Sequence, residues 1–473
     1  MEFVDIRLQS IKDQIRKMTK GRILSLKIDC ATRLDRSILG INLQFIELKK
    51  DSLNICVKTL GMVQLFERHT GQLIKEKILE ILSDFQIDIN QIYSITSDNG
   101  RNMLKAVEIL NETSEMSEEL DLGVEEIVDS ITLPNIQSIR CAAHTLQLCV
   151  NDINKDINIC QKIETARKLS QNRSHTKFGF YNKLKHLLMS CSMPTICRRI
   201  LLQSDNCIPP LDVSTRWNST YRMLQKLLEI KSFLMEQQIF EDTVDWQWIQ
   251  EYVETLKPIW IATLKMQEEQ LVLGVFFKIW MELKLHYENA SSDLKIKLKT
   301  ALNEREGLLL ESVQMLSAIY FDPRISLNIT SVSQEANPRT SNESPNTATS
   351  QASDTDNPLL NLYLNRIEQQ EREENGTSDV SINETLTKLY VDIENFDSVY
   401  PRLPLDTNIL TFFQNLKLKS PNIFEIAMVV LGVPATQVSV ERAFSSLSFI
   451  LSERRYNLNS KTLESLLLVR LNN

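Results

Sequence analysis

Apolar positions in the first 141 residues alternate between a strand period and a helix period. The stretches RILSLKIDC (22–30), ILGINLQFIEL (38–48) and SLNICVKTLGM (52–62) are rich in aliphatic and β-branched residues and predict three strands. Their connections, ATRLDRS and KKD, are far shorter than the dozen or more residues that a parallel crossover takes, so the three are antiparallel neighbours. The first twenty residues read as a short amphipathic lead-in helix. In TGQLIKEKILEILSDF (70–85), Leu73, Ile74, Ile78, Ile81, Leu82 and Phe85 recur at helical spacing. A fourth strand, QIYSITSD (91–98), and a helix, NGRNMLKAVEILN (99–111), follow. A helical connection suits a parallel strand, so strand four is expected beside an earlier one through a right-handed crossover. NIQSIRC (135–141) predicts a fifth strand, and AAHTLQLCVNDIN opens a helix.

From there to about residue 325 the pattern is helix after helix, as in STRWNSTYRMLQKLLEIKSFLMEQ and GVFFKIWMELKLHYENA. Residues 331–358 hold one aliphatic residue beyond alanine, Val332, too little to offset the entropy of ordering. A disordered loop is therefore expected at about 327–382. Helical pattern resumes near 383 and runs to the end. The division this predicts is a lead-in helix (1–20), the first part of an α/β (α+β) core (21–141), a large all-α insertion (142–425) containing that loop, and a closing segment (426–473) that completes the core. No repeat of 20–50 residues is apparent.

Composition narrows the class. The chain has 473 residues, 42% of them hydrophobic and 24% charged, as in ordinary globular proteins of two or three domains. The first residues carry no basic run leading into an apolar core, and no uninterrupted apolar run reaches about 18 residues, so a soluble, intracellular protein is expected. Eight cysteines end at Cys207 with no CxxC pair, which predicts reduced thiols rather than a disulfide framework. Cys191, Cys197 and Cys207 are too irregular, and lack a fourth ligand, for a zinc site.

The net charge of −8 argues against a non-specific nucleic-acid coat. It averages over two blocks. Residues 108–129 hold nine acids and no Lys or Arg, and residues 161–200 hold nine Lys/Arg against one acid, Glu164. The first reads mainly as a solvated acidic loop, and the second equally as a candidate phosphate-facing surface or as wet surface.

The strand and helix order, closed by helices, is the layout of a ribonuclease-H-like catalytic core. In that layout Asp29 closes strand one and Asp98 closes strand four, on one edge of the sheet. A third acid on a nearby helix would complete a hard-oxygen pocket for two divalent ions about 4 Å apart, suited to phosphodiester cleavage and transfer. Glu441 qualifies. Val440, Phe444, Leu447 and Leu451 form an apolar stripe, and Glu441 lies beside it with Gln437, Ser445 and Ser448, at the border of core and solvent. Taken singly, each acid reads as well as a turn, a cap or a solvated partner of Arg442.

Six stretches together carry a family resemblance: SLKIDCAT, ITSDNGRNMLKAV, IRCAAHTLQLCV, STRWNSTYRML, AIYFDPR and VPATQVSVERAFSSLSFILSERRYNLNSKTLESLLLVRL. With them the chain resembles the transposases of the hAT superfamily along most of its length, and its last stretch resembles the family's C-terminal dimerisation region. The resemblance implies a ribonuclease-H-like core split by the helical insertion, and a catalytic and metal-binding triad at Asp29, Asp98 and Glu441 with Mg²⁺ or Mn²⁺. It further implies DNA as substrate, a nuclear location, cut-and-paste transposition and a homodimer or higher homo-oligomer. Trp217, after Arg216, would handle a flipped base, or else anchor its own helix. Cys141 and His144 share a helical face and suit packing or DNA positioning better than metal. The closing helix, apolar on most sides through Leu463, Leu466 and Leu467, is either buried or, with Phe444, part of a dimer interface.

Two departures stand out. Relatives often carry an N-terminal BED-type zinc finger, and no Cys/His cluster precedes Asp29 here, which leaves room for a separate DNA-reading subunit. Relatives also often have a tryptophan after the first acid, where this chain reads DCATR. Three readings result: a metal-dependent DNA transposase, a catalytically inactive descendant that dimerises and regulates through DNA, and a ribonuclease-H-type nuclease. The third leaves the insertion and the C-terminal match unexplained.

Overall fold

Two tight hairpins start the chain's sheet. Strand β1 (Leu24–Arg33) pairs antiparallel with β2 (Arg36–Lys49), and β2 with β3 (Ser52–Leu65). The registers close at Arg33↔Arg36 and Lys49↔Ser52, so each turn has two residues. Leu34, Asp35, Lys50 and Asp51 all have positive φ, the geometry that matches a two-residue turn to the twist of its strands. β4 (Ile92–Ser97) then pairs parallel with β1, and β5 (Gln137–Arg140) parallel with β4. The result is a mixed five-stranded sheet of order β3-β2-β1-β4-β5.

The computed structural model describes residues 2–98, 100–119, 136–174, 210, 212–213, 216–236, 244–289, 291–310, 312–325, 391–393, 396–400, 403–404, 406–451 and 458–472. The expected loop at 327–382, residues 120–129 of the acidic block, most of the basic block, and Cys191, Cys197 and Cys207 lie outside them. The described cysteines, Cys30, Cys56, Cys141, Cys149 and Cys160, are free thiols. No helix among the described residues is long and apolar enough to cross a membrane.

One face of the sheet is covered by α1 (Glu2–Thr19), α2 (Gly71–Asp84) and α3 (Arg101–Glu119). Ile11 and Ile15 from α1, Ile74 and Ile78 from α2, and Ala106 and Leu110 from α3 share one core with Leu26, Ile28, Ile41 and Leu43 of the sheet. Thr70 caps α2, its hydroxyl accepting from the Leu73 N–H. The other face carries chain from the far end of the sequence, α14 (Pro421–Gly432) and α15 (Val438–Ile450), while α16 (Ser460–Leu471) packs along β3 against both α15 and α1.

The chain divides into two compact units. One comprises residues 1–144, 266–278 and 307–473, and the other 145–265 and 279–306. Within the span expected as the helical insertion, residues 266–278 and the described residues of 307–425 group with the first unit. The reason lies in AIYFDPR: buried Arg324 donates to buried Asp322 at 2.8 and 2.5 Å and to the Thr407 carbonyl at 3.0 Å. A Cβ on Gly274 would stand 2.2 Å from the Asp322 carboxylate, so only glycine fits against that pair. The second unit is all helical, built from α4 beyond residue 145 (α4 is Ala142–Asn154), α5 (Ile157–Ser174), α6 (Trp217–Glu229), α7 (Lys231–Glu236) and α8 (Trp246–Lys265), with the later part of α9 (Leu273–His286) and the first part of α10 (Asp293–Leu310).

β3 is an edge strand, yet side-chain amides take up much of its outer rim. Gln414, from α13 (Ile409–Leu416), accepts from the Leu53 N–H at 3.4 Å and donates to the Asp51 carbonyl. Gln270 accepts from the Ile55 N–H at 2.8 Å and donates to its carbonyl at 3.3 Å. Asn472, just past α16, does the same for Thr59 at 3.0 and 2.8 Å. A carboxamide offers the donor and acceptor of a peptide unit, so the three stand in for a neighbouring strand and close the edge to pairing.

Two expectations follow from this packing. Replacing Gln270, Gln414 and Asn472 together by leucine should open the β3 edge, giving species larger than the wild-type assembly in light scattering that grow with concentration; unchanged size would show that the amides do not guard it. At Gly40, a Cβ would meet Val440 Cγ1 of α15 at 2.5 Å, so Gly40→Ala should cost about 1–3 kcal/mol in denaturant unfolding.

Candidate active site at the rim of the sheet

Two of the three predicted acids come together where β4 ends beside β1: Asp98 follows β4, whereas Asp29, expected to close the first strand, lies inside β1, which pairs with β2 as far as Arg33. The parallel register runs to Lys27↔Thr96, and continuing it two residues sets Asp29 level with Asp98. Asp29 Oδ1 accepts from the Cys30 N–H at 2.8 Å, and Asp98 Oδ1 from the Gly100 N–H at 3.0 Å, just before α3 begins. Both charges reach one thiol: Cys30 is pushed up to about 12, by burial first and then by Asp29 and Asp98.

Glu441 comes to the neighbourhood on α15. Val440, Leu447 and Leu451 are buried, and Phe444 packs partly against the same cluster. Glu441 itself is exposed, in the first turn of the helix. Arg442 is not its partner; it pairs with Glu269 at 3.0 Å. Cys141 fixes the relation to β4. Its N–H donates to the Ser97 carbonyl at 2.9 Å, and its thiol is raised to about 11 by burial, with Glu441 adding to the shift. The Glu441 carboxylate therefore lies within electrostatic reach of a thiol that adjoins the end of β4.

A seam of polar contacts holds the turn before α15 on the sheet. Asn42 donates to Ser439 Oγ at 3.0 Å, Gln44 to the Gly432 carbonyl at 3.1 Å, and the Thr96 hydroxyl to the Pro434 carbonyl at 2.7 Å. The Ala142 N–H donates to the Ala435 carbonyl at 2.9 Å, and Ser94 to Ser25 at 2.9 Å. Every side chain among these sheet residues is buried. Buried polar groups are tolerated only when bonded, so the seam dictates where the corner sits.

Sequence reasoning passed over Lys27. It lies on the same sheet face as Asp29, between Asn42 and Thr96 in register, and is 6% exposed. It forms no ion pair among the described residues. Burial lowers it to about 8, with Cys141 and Glu269 raising it and Arg442 opposing them. A lysine within a strand pattern reads as an outward-facing residue, and only the covering corner makes it an interior one.

The donor chemistry suits a hard divalent cation, since all three acids offer carboxylate oxygens. The spacing is open: among the described residues no three His, Cys, Asp or Glu side chains come near enough to share an ion. Asp29 and Asp98 are brought to one rim, and Glu441 is brought to its border.

The remaining predicted residues divide differently. Cys141, just before α4, is fully buried and serves packing, and His144, in the first turn of α4, is half-buried. Arg216 is exposed at the start of α6, but Trp217 is 2% exposed, set edge-on to Tyr221 and Trp260 with ring centroids 6.1 and 6.3 Å away. Trp217 thus anchors its helix and presents no face to a base. Leu463 and Leu467 are buried with Ile38, Met62 and Leu447, while Phe444 and Leu466 pack against that cluster partly buried. The two buried leucines are satisfied inside the chain, because β2 and β3 offer an apolar patch that α16 covers.

Comparison with known proteins finds matches to two regions of the chain. Residues 389–472 match the hAT family C-terminal dimerisation region, and residues 139–251 match the ZBED1 RNase-like helical domain. The chain is 24% identical to "Putative transcriptional regulator tpeD" of Talaromyces stipitatus over 502 aligned residues, covering 97% of this chain and 54% of that protein. It is 23% identical to the human "Zinc finger BED domain-containing protein 4" over 262 residues, covering 51% of this chain and 21% of that one. The chain spans about half the length of the first and about a fifth of the second. In these two regions, the hAT family C-terminal dimerisation region and the ZBED1 RNase-like helical domain, the chain is similar to hAT-type proteins.

Proposed function

We propose that the chain is a transposase core of hAT type, ribonuclease-H-like in fold, which cleaves and transfers DNA strands in the nucleus as a homodimer. Asp29, Asp98 and Glu441 are its acids. The observation that carries the reading is the placement of Asp29, inside β1, level with Asp98, one residue past the end of the adjacent parallel β4, with the Glu441 helix latched over the same sheet. Mg²⁺ or Mn²⁺ held by these carboxylates would supply activation of a water or 3′-hydroxyl and stabilisation of the leaving oxygen. The chain's own part is to hold the carboxylates: strand pairing fixes two, and the polar seam fixes the start of the helix that bears the third.

A second reading is favoured by a specific observation. No three ligands gather among the described residues, which suits an inactive descendant that keeps dimerisation and regulates through DNA. One relative bears the name of a transcriptional regulator.

Dimerisation would use what the C-terminal helices leave outside. Phe449 is 68% exposed on α15, with the Arg470 guanidinium 4.3 Å from its ring centroid. Large exposed apolar side chains of this kind suit a subunit interface better than the buried Leu463 and Leu467.

Incubation with hairpin-prone DNA and Mg²⁺ or Mn²⁺ should give nicks that Asp98→Asn and Glu441→Gln each reduce at least a hundredfold. Nicking unchanged in both would overturn the transposase reading, and DNA binding without nicking would establish the regulatory one. For the dimer, light scattering should give twice the chain mass for wild type, with Phe449→Glu monomeric and equally stable. A monomeric wild type ends the dimer proposal.

A further inference from the structure

The second unit carries an aromatic side chain that the family resemblance does not point to. Lys257, Trp260, Ile261 and Leu264 fall at i, i+3, i+4 and i+7 on α8, so they share one face. Lys257 is exposed, Ile261 and Leu264 are each 45% exposed, and Trp260 is half-buried. Tyr221 stacks against the Trp260 ring at 5.4 Å and 19°, and Trp217 meets it edge-on. The ring is braced from within the unit. Arg222, exposed, lies over it with its guanidinium 4.9 Å from the centroid. Arg222 forms no ion pair among the described residues.

We propose that Trp260 is a stacking platform for an unpaired base of single-stranded DNA, with Arg222 as the cation that moves from the ring to a flanking phosphate. This rests on the DNA reading above and names a part of the chain that would carry it. A base is flat, uncharged and has a π face, so it can take the place that a planar guanidinium holds over the indole. The displaced guanidinium then meets a phosphate bidentately, a geometry for which arginine is suited. Lys257, one turn from Trp260, adds a second cation. An apolar protein partner would cover Ile261 and Leu264 but leave Arg222 and Lys257 without counter-charges. Trp217 cannot play this part, because its ring is enclosed.

The test uses the full chain and a short single-stranded DNA containing 2-aminopurine, read by anisotropy and by quenching of the base. Trp260→Ala should weaken binding about tenfold and remove the quenching, while Trp260→Phe keeps most of both. Arg222→Ala should lower the slope of log affinity against log salt by about one. Trp217→Phe should lower the melting temperature yet leave quenching in place. Circular dichroism establishes that each variant is folded. Wild-type binding and quenching that survive Trp260→Ala unchanged overturn this inference alone. A wild-type chain that binds no DNA overturns it together with the reading beneath it.

Discussion

Four hydrogen bonds, three from the sheet and one from the start of α4, hold the chain around the corner before α15 and govern the geometry of the rim. Asn42, Gln44, Thr96 and Ala142 hold Ser439, Gly432, Pro434 and Ala435, partners some 290 to 400 residues away in sequence. Each such bond contributes only about 1 kcal/mol net, but leaving one of the buried groups unbonded costs about 1–3 kcal/mol. The cost of mismatch is what makes the seam specific: an apolar corner could slide on the sheet, and this one cannot. Gly40 enforces the same constraint sterically, since it admits Val440 to within a distance that any Cβ would forbid. Two long-range devices therefore position Glu441, one by bonding and one by shape.

Much of the sheet was legible in the sequence because its strands are alternating or apolar runs with short connections. The order of the hairpins follows from connection length, and the parallel pairing of β4 with β1 from the helical crossover. The turns were harder to read. Leu34-Asp35 and Lys50-Asp51 lack the Asn-Gly or Asp-Gly signature, yet all four residues take positive φ. Strand pairing on both sides imposes the turn on residues with little preference for it.

The rim acids were only half legible. Asp98 follows from a strand end, which periodicity locates, whereas β1 runs four residues past Asp29, to Arg33. Glu441 lies on a helix whose partner strands are about 400 residues away in the chain, and its approach depends on the buried seam, which no local pattern announces. Trp217 shows the opposite failure. Arg-Trp at a helix start looks like an exposed motif, but Leu224, Leu227 and Tyr221 are buried on the same helix and take Trp217 inward with them. Leu463 and Leu467 are alike: a helix apolar on most sides does not say whether its partner is the same chain or another. The amides that close β3 left no trace at all, since glutamine and asparagine at helix ends and loops read as solvated polar residues.

Lys27 links the seam to the chemistry of the rim. Its ammonium lies in register between Asn42 and Thr96, both of which already bond to the α15 corner. Asn42 Oδ1 and Gln437 Oε1 are buried acceptors without a hydrogen-bond partner among the described residues. A buried lysine and buried acceptors without partners each cost stability, and folding retains them only where the surrounding contacts over-determine the site. Replacing that lysine by an aliphatic residue would make the interior cheaper to fold, so sheet stability does not explain its presence. Its place, two residues before Asp29 on the same face and beneath the helix of Glu441, ties it to the polar rim rather than to the core on the opposite face. The rim is thus polar through its depth, from the exposed acid on α15 to a charged residue on the central strand.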